Sequence, residues 1–400
     1  MHVLRARRVF DGDRFVPDRG GGTDVVVDGR RIVEVGPRRK HPGDVRVDDL
    51  GDATILPGLV DGHQHLTWDC SPAPLAWHEA ADDDALLARG HANARRALAA
   101  GITTVRDLGG RDLVTLALRD ELARDPAAGP DVLAAGPALT TPGGHCWFLG
   151  GECADETELR AAVTRLAAAG ADVVKVMVTG GNVTPGSLPH ESQLDAGAVR
   201  SLVRTAHELG LPVAAHAHGT GGIAAALEAG VDTIEHATFM SAEGIARDPE
   251  LVERLVRSGT PLSLTGGAAP GPLPPAIAAR MPAILDHVRG LLASGARCFL
   301  STDAGIGPPK PHDVLVQGVT QLVAELGLPT GRALAMVTGL ASDALGIADR
   351  AGRLRAGSPA DVLVVRGRVD EDVEALLRPV RVLHHGVDVL EGPPTRTPAD

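Results

Sequence analysis

Four hundred residues exceed one small domain and suit two, or one large barrel with a satellite. An apolar share of 44% with 22% charged residues excludes wholesale disorder, and a formal charge of -12 speaks against nucleic acid or an anionic membrane as partner. Aromatics are only 2%, with no Tyr, so the core is expected to rest on Ala, Val and Leu.

The opening MHVLRARRVFDG has charge but no apolar stretch, so no signal peptide is expected. No apolar run reaches the roughly 18 residues that a membrane span needs. Residues 1–56 read as short strands and turns, with a hairpin in VVVDGRRIVEV around Asp28-Gly29. From 57 to 345 a unit repeats: a helical stretch ends in Gly and a β-branched strand follows. The joints are Gly101, Gly170, Gly210, Gly230, Gly259 and Gly295, where Gly can take the left-handed conformation that ends a helix. ILPGLVDGHQHL and DVLAAGPALT bring the strand count to eight. Eight strands alternating with helices predict an α/β fold, a (β/α)8 TIM barrel. A doubly wound sheet has no need of eight units. Residues 346–400 return to β texture in ADVLVVRG and VRVLHHGVDVL, separated by a helical patch. The two ends, 1–56 and 346–400, are expected to form one small β-sandwich domain beside the barrel domain 57–345. The four Cys form no CxxC pair and read as reduced thiols of a cytoplasmic protein.

Chemistry in such a barrel sits at the C-terminal strand ends. Strand 1 ends in His63-Gln64-His65, strand 4 carries Lys175, and strand 5 ends in His216-Ala217-His218. Strand 6 ends in Glu235-His236 and strand 8 in Ser301-Thr302-Asp303. His63 and His65 are two apart and so share a face. Two imidazoles on one face of an apolar barrel call for a reason, and metal ligation supplies one. Lys175 lies in the apolar run DVVKVMV, where burial would lower its pKa and make a nucleophilic amine. Such an amine can add CO2 to give a carbamate ligand, or form a Schiff base; it could also be a lysine snorkelling from a strand end. The surrounding histidines favour the carbamate.

These residues, with LPGLVDGH, TTVRDLGG, TPGGHCWFLGGE, KVMVTGGNVTP, HAHGTGGI, DTIEHATF and STDAG, resemble the amidohydrolase superfamily over nearly the whole chain. Within it the chain looks like the metal-dependent dipeptidases (prolidase-like) and imidazolonepropionase-related enzymes. The resemblance implies two divalent metal ions, zinc with manganese or cobalt as alternatives. It implies that His63 and His65 bind the more buried ion, that Lys175 bridges the pair as its carbamate, and that His216 and His236 bind the second ion. Asp303 is implied to touch the first ion and shuttle the proton. His218 is implied to face the substrate or support the ligands, unless it is itself the strand-5 ligand. His145, in Gly143-Gly144-His145, resembles a substrate-contacting His that steadies the oxyanion.

The expected mechanism follows. Two cations about 3.5–4 Å apart hold a bridging hydroxide, one polarises the carbonyl, and Asp303 carries a proton to the leaving nitrogen. The substrate is expected to be a dipeptide or N-acyl amino acid. A cyclic amide, a deamination or a non-catalytic scaffold on the same fold are the alternatives. Lys175 argues against a mononuclear deaminase, and the full ligand set argues against the scaffold.

Trp68 and Trp77 follow strand 1, Trp147 and Phe148 follow strand 3, and Phe239 follows strand 6, so aromatics are expected to wall a pocket. Asn182 is a weaker substrate candidate. Arg106 could hold a substrate carboxylate or pair with Asp107 or Asp61. Some related dipeptidases use a Tyr for the carboxylate, and this chain has none. His2, His41, His78, His91, His207, His287, His384 and His385 are expected to be solvated, while His190 and His312 stay undecided. The partner is a small-molecule substrate, with no nucleic acid or membrane; a homo-oligomer is compatible with the fold.

Overall fold

Eight short parallel strands form the centre of the computed structural model, which describes residues 1–18, 21–273 and 275–390. They are β1 (Leu59–Gln64), β2 (Ile102–Asp107), β3 (Asp131–Ala134), β4 (Val174–Met177), β5 (Val213–Gly219), β6 (Thr233–Ser241), β7 (Leu262–Thr265) and β8 (Cys298–Ser301). Their positions are mostly buried on both faces, as parallel strands covered by helices must be. They run in two arcs, β1-β2-β3 and β4-β5-β6-β7-β8. Parallel bridges link the arcs at both sides, Leu139 with Val176 and Gln64 with Ala304.

The intervening helices have legible ends. Asp82, Asp155, Asp195 and Asp248 each cap a helix by accepting a backbone N–H in its first turn. All six predicted joint glycines have φ between 68 and 88°, which lets the chain leave a helix and enter a strand within a few residues.

Two further sheets flank the arcs. One has four strands, in the order Arg31–Pro37, Thr23–Asp28, His2–Ala6 and Arg46–Asp49. The other draws on both chain ends: Val387–Asp388, Pro379–His384, Val362–Arg366, Ala53–Pro57 and Arg8–Val9. Leu4, Val25 and Ile32 of the first share one apolar cluster with Ile55, Val362 and Leu383 of the second. In the hairpin Asp28 pairs with Arg31, so the loop is Gly29-Arg30, one residue later than expected. The pairing follows Gly29, whose φ of 55° suits the first loop position. The last ten residues of the expected β domain, 391–400, lie outside the described residues. Among the described residues no helix is long and apolar enough to cross a membrane.

Candidate active site

The C-terminal strand ends bring the predicted residues together. The Asp303 N–H donates to the His63 carbonyl at 2.8 Å, and the His65 N–H donates to Ala304 O at 2.9 Å. These two bonds set the segment after β8 against the end of β1. Asp303 takes a φ of 60°, and its Oδ1 lies 3.1 Å from His65 Nε2 and 3.3 Å from His63 Nε2.

The hydrogen bonds behind the rings define what those nitrogens carry. His63 Nδ1 donates to Glu235 Oε2 at 2.9 Å, and His65 Nδ1 donates to Gly109 O at 2.9 Å. Both partners are acceptors only, so each Nδ1 holds a proton and each neutral ring turns a lone pair forward at Nε2. Two lone pairs and a carboxylate oxygen therefore converge. Burial, and after it Lys175, pushes His63 down to about 4, so it stays neutral. Burial alone would lower His65, but its contact with Asp303 outweighs it and raises it, so either a proton on His65 Nε2 or a cation is favoured between the ring and the carboxylate. Burial would likewise raise the Asp303 carboxyl, yet His63 and His65 hold it below the usual range. The gaps of 3.1 and 3.3 Å match the spacing of roughly 3.3 Å between ligands of one tetrahedral ion. The residues present fit a divalent cation.

A second group stands beside the first. His216, His218 and His236 offer ligand atoms within 4.8 Å of one another, as do His63, His236 and Asp303. His216 Nε2 donates to Gly180 O at 2.9 Å, which frees Nδ1 as the lone pair. His236 and His218 rings stack at 4.4 Å, and their Nδ1 atoms bond to Thr265 and Thr238 hydroxyls. Burial, followed by the neighbouring imidazoles, drives His216 and His236 well below the usual value and His218 to about 3. Neutral imidazoles crowded this closely suit metal ligation.

Lys175 is 1% exposed, and its Nζ lies 3.5 Å from His63 Nε2. Burial lowers its pKa to about 8. His145 is buried with its ring 4.8 Å from that of His216, and its Nδ1 has no partner. Gly181 makes room for it, since a Cβ there would stand 2.2 Å from His145 Nε2. Burial, then Lys175, pushes His145 to about 4.

Two substrate candidates are corrected. Arg106 is 4% exposed; Nε donates to Gly62 O, Nη1 to Thr233 Oγ1 and Nη2 to Glu235 Oε1, at 2.7, 3.1 and 2.8 Å. Its guanidinium is committed to Glu235, not to Asp107, Asp61 or a substrate carboxylate. Trp68 is 1% exposed, packed against His65, His78 and Phe148, so it is a packing residue and not an open wall. Trp147 is 42% exposed and Asn182 is exposed, on the loops after β3 and β4. Phe239 is buried against His287, and Trp77 lies under Arg89.

The histidines expected to be solvated have partners instead. His2, His41, His91 and His207 meet Asp48, Asp24, Glu121 and Asp232, and His287 donates to Ala237 O. His385 meets Asp131, while His78 and His384 are buried. His312 is buried too and bonds to His65 O at 3.0 Å. Sequence reasoning also missed the role of Glu235, which orients His63 and is itself held by Arg106 and Thr233. It missed Lys310, whose Nζ donates to Thr265, Gly266 and Thr302 carbonyls at 3.0, 3.3 and 2.8 Å and so ties the end of β7 to the Asp303 turn. A Glu beside a strand-end His, and a Lys seven residues past Asp303, were the available signals.

Several known proteins are similar to this chain. Ochratoxinase of Aspergillus niger is 28% identical over 380 residues, covering 85% of this chain and 76% of that protein. Imidazolonepropionase of Anaeromyxobacter sp. (strain K) is 27% identical over 410 residues, covering 90% and 89%. A solved Xaa-Pro dipeptidase with methionine bound in its active site matches with a TM-score of 0.83 at 28% identity, over 97% of this chain and 99% of that one. The pattern of the amidohydrolase family matches residues 54–388, which include every candidate site residue. The chain belongs to the amidohydrolase family and is a hydrolase of carbon–nitrogen amide bonds.

Proposed function

We propose that the protein is a binuclear metal-dependent hydrolase that cleaves the amide bond of a dipeptide or N-acyl amino acid. The observation that carries this is the convergence of His63 Nε2, His65 Nε2 and Asp303 Oδ1 on one point, where a single cation would satisfy all three. We read the two strand arcs as one closed (β/α)8 barrel over 57–345, and residues 1–56 and 346–400 as a β-sandwich domain beside it.

His63, His65 and Asp303 would hold one divalent cation, and His216 and His236 the other, with His218 alongside. Zinc is the first candidate, with manganese or cobalt suited to the same ligands. Bound there, the ions would supply a water of lowered pKa and polarise the scissile carbonyl. Lys175 would bridge them as a carbamate. CO2 adds to the neutral amine with loss of a proton, and a pKa lowered to about 8 raises the neutral fraction.

The chain's own groups do the rest. Arg106 fixes Glu235, and Glu235 fixes the His63 tautomer. Asp303 is the proton carrier. Its Oδ2, which bonds to neither His63 nor His65, takes the proton of the attacking water and delivers it to the departing nitrogen, because an amine anion does not leave. His145, kept neutral, serves as donor to the developing oxyanion. Trp147 and Asn182, exposed on the neighbouring loops, are the side chains left to contact substrate.

The imidazolonepropionase relative, aligned over 90% of this chain, favours a cyclic amide as the second reading. A screen of the metal-loaded protein against N-acyl amino acids, dipeptides and cyclic amides separates the two. Asp303→Asn is expected to lower turnover by about 10³-fold or more; near-normal turnover in that variant overturns the proton role.

A further inference from the structure

A second cluster lies at the opposite end of the strands. Asp131 opens β3 and therefore sits at its N-terminal end, while the site above occupies the C-terminal ends. His384 closes the strand Pro379–His384, and His385 begins the turn that follows. Their rings lie 4.4 Å apart. His385 Nε2 donates to the Asp131 carboxylate, 3.0 Å from one oxygen and 3.1 Å from the other.

His384 is the anomaly. Its Nδ1 donates to the Pro126 carbonyl at 2.8 Å, which leaves a lone pair on Nε2 of the neutral ring. The side chain is 2% exposed, and Nε2 has no hydrogen-bond partner. It points at Asp131 Oδ1 across 3.6 Å. A buried lone pair facing a carboxylate is costly unless something positive lies between them. Burial would lower the His384 pKa, but the Asp131 contact outweighs it and raises it, so either a proton or a cation meets that need. Asp361 adds a further acceptor. Its Oδ1 takes the His385 backbone N–H at 2.7 Å, and its buried Oδ2 has no partner. The ligand atoms of Asp131, His384 and His385 all lie within 4.8 Å of one another.

We propose that Asp131, His384 and His385 form a structural site for a zinc-type divalent ion, separate from the catalytic centre. Two imidazoles and a carboxylate suit such an ion, with water in the fourth position. Binding shifts the proton of the neutral His385 ring from Nε2 to Nδ1 by exchange with solvent, and both Nε2 lone pairs then face the ion. The site joins the end of the flanking sheet to the start of β3 across 254 residues of chain. It holds the flanking sheet against the strands and takes no part in hydrolysis.

The test is zinc content. The full chain is stripped with a chelator, reloaded with zinc and desalted, beside His385→Ala and Asp131→Asn. Wild type is expected to keep one zinc per chain more than either variant, whatever number the catalytic centre holds. Its Tm is expected to rise with zinc by several degrees more than theirs. Amide hydrolysis is expected to be unchanged in both variants, which shows that they fold. Asp131→Asn keeps the shape of the side chain and guards against a merely disruptive His385→Ala. Equal zinc content in the three proteins overturns the site and leaves a proton shared by Asp131 and the two histidines.

Discussion

Both the flanking sheets and the strand ends bury charge, but they dispose of it differently. In the flanking sheets Asp24, Asp48 and Asp388 each meet donors. Arg5 grips Asp24 through two bonds of 2.6 and 2.9 Å, and His41 adds a third at 2.7 Å. Arg381 reaches both Asp48 and Asp388. Such groups are satisfied and explain themselves as structure. At the strand ends acceptors face acceptors: His63, His65 and Asp303 converge with lone pairs, and Lys175 stands among imidazoles and not in an ion pair of its own. A buried polar set that its own protein leaves unmatched is a set waiting for a ligand. The same test picks out His384 and the Asp361 Oδ2, which lie in the flanking region and depart from the habit of their neighbours.

Removing the unmatched amine sharpens the contrast most. Lys175→Ala is expected to lower turnover on the order of 10⁴-fold through loss of the bridging ligand. In the metal-free protein stability is expected to hold or rise, since a desolvated amine is removed. Steady-state kinetics and urea unfolding read the two effects separately. Full activity with two ions bound would disprove the bridge.

Arg106→Met is expected to do the reverse. It strands Glu235 as a buried carboxylate without its cation, at a cost of about 3–5 kcal/mol in unfolding free energy. Denaturant titration measures that loss. A cost below about 1 kcal/mol, the range of an exposed pair, would mean that the Arg106–Glu235 pair is not the strut described here.

The site was legible where strand alternation and burial act alone. His63 and His65 share a face because they are two apart, and Lys175 stands out because an apolar run has no use for an ammonium. Glu235 was not legible, because alternation sends it and His236 to opposite faces. The backbone breaks that rule, with φ of 72° at His236 and 48° at Ala237, so adjacent residues both serve the site. Arg106 misled for another reason. Its sequence neighbour Asp107 looked like a partner, but adjacent strand residues point apart, and the true partner lies 129 positions away. The fold's joints were readable because each Gly is a local conformational requirement. The partners of the scattered histidines are all set by tertiary contact. A helix pattern cannot say that His78 turns inward against Trp68.

The satisfied region can be broken with acid. Burial would raise the Asp48 carboxyl, but Arg46, His2 and Arg381 together lower it from 3.8 to about 2. A depressed folded-state pKa stabilises above the unfolded value and is lost as pH falls through the folded one. About 2 kcal/mol of stability is therefore expected to disappear between roughly pH 4 and pH 2. Thermal melts across that window, compared with Asp48→Asn, isolate the contribution. An identical acid profile in the variant would assign the loss to other carboxylates.

The smallest effect on stability belongs to Trp147, and it separates the two tryptophans the sequence grouped together. Trp68 is enclosed at 1% exposure, so Trp68→Ala removes a filled core and is expected to cost about 3–5 kcal/mol. Trp147 is 42% exposed on the loop that also carries His145. Trp147→Ala is expected to leave unfolding free energy within about 0.5 kcal/mol. If its ring meets the substrate, KM for acyl groups that differ in size should change unequally while kcat moves little. Uniform KM values across such a series would reduce Trp147 to loop packing, and Asn182 would then be the remaining exposed contact to test.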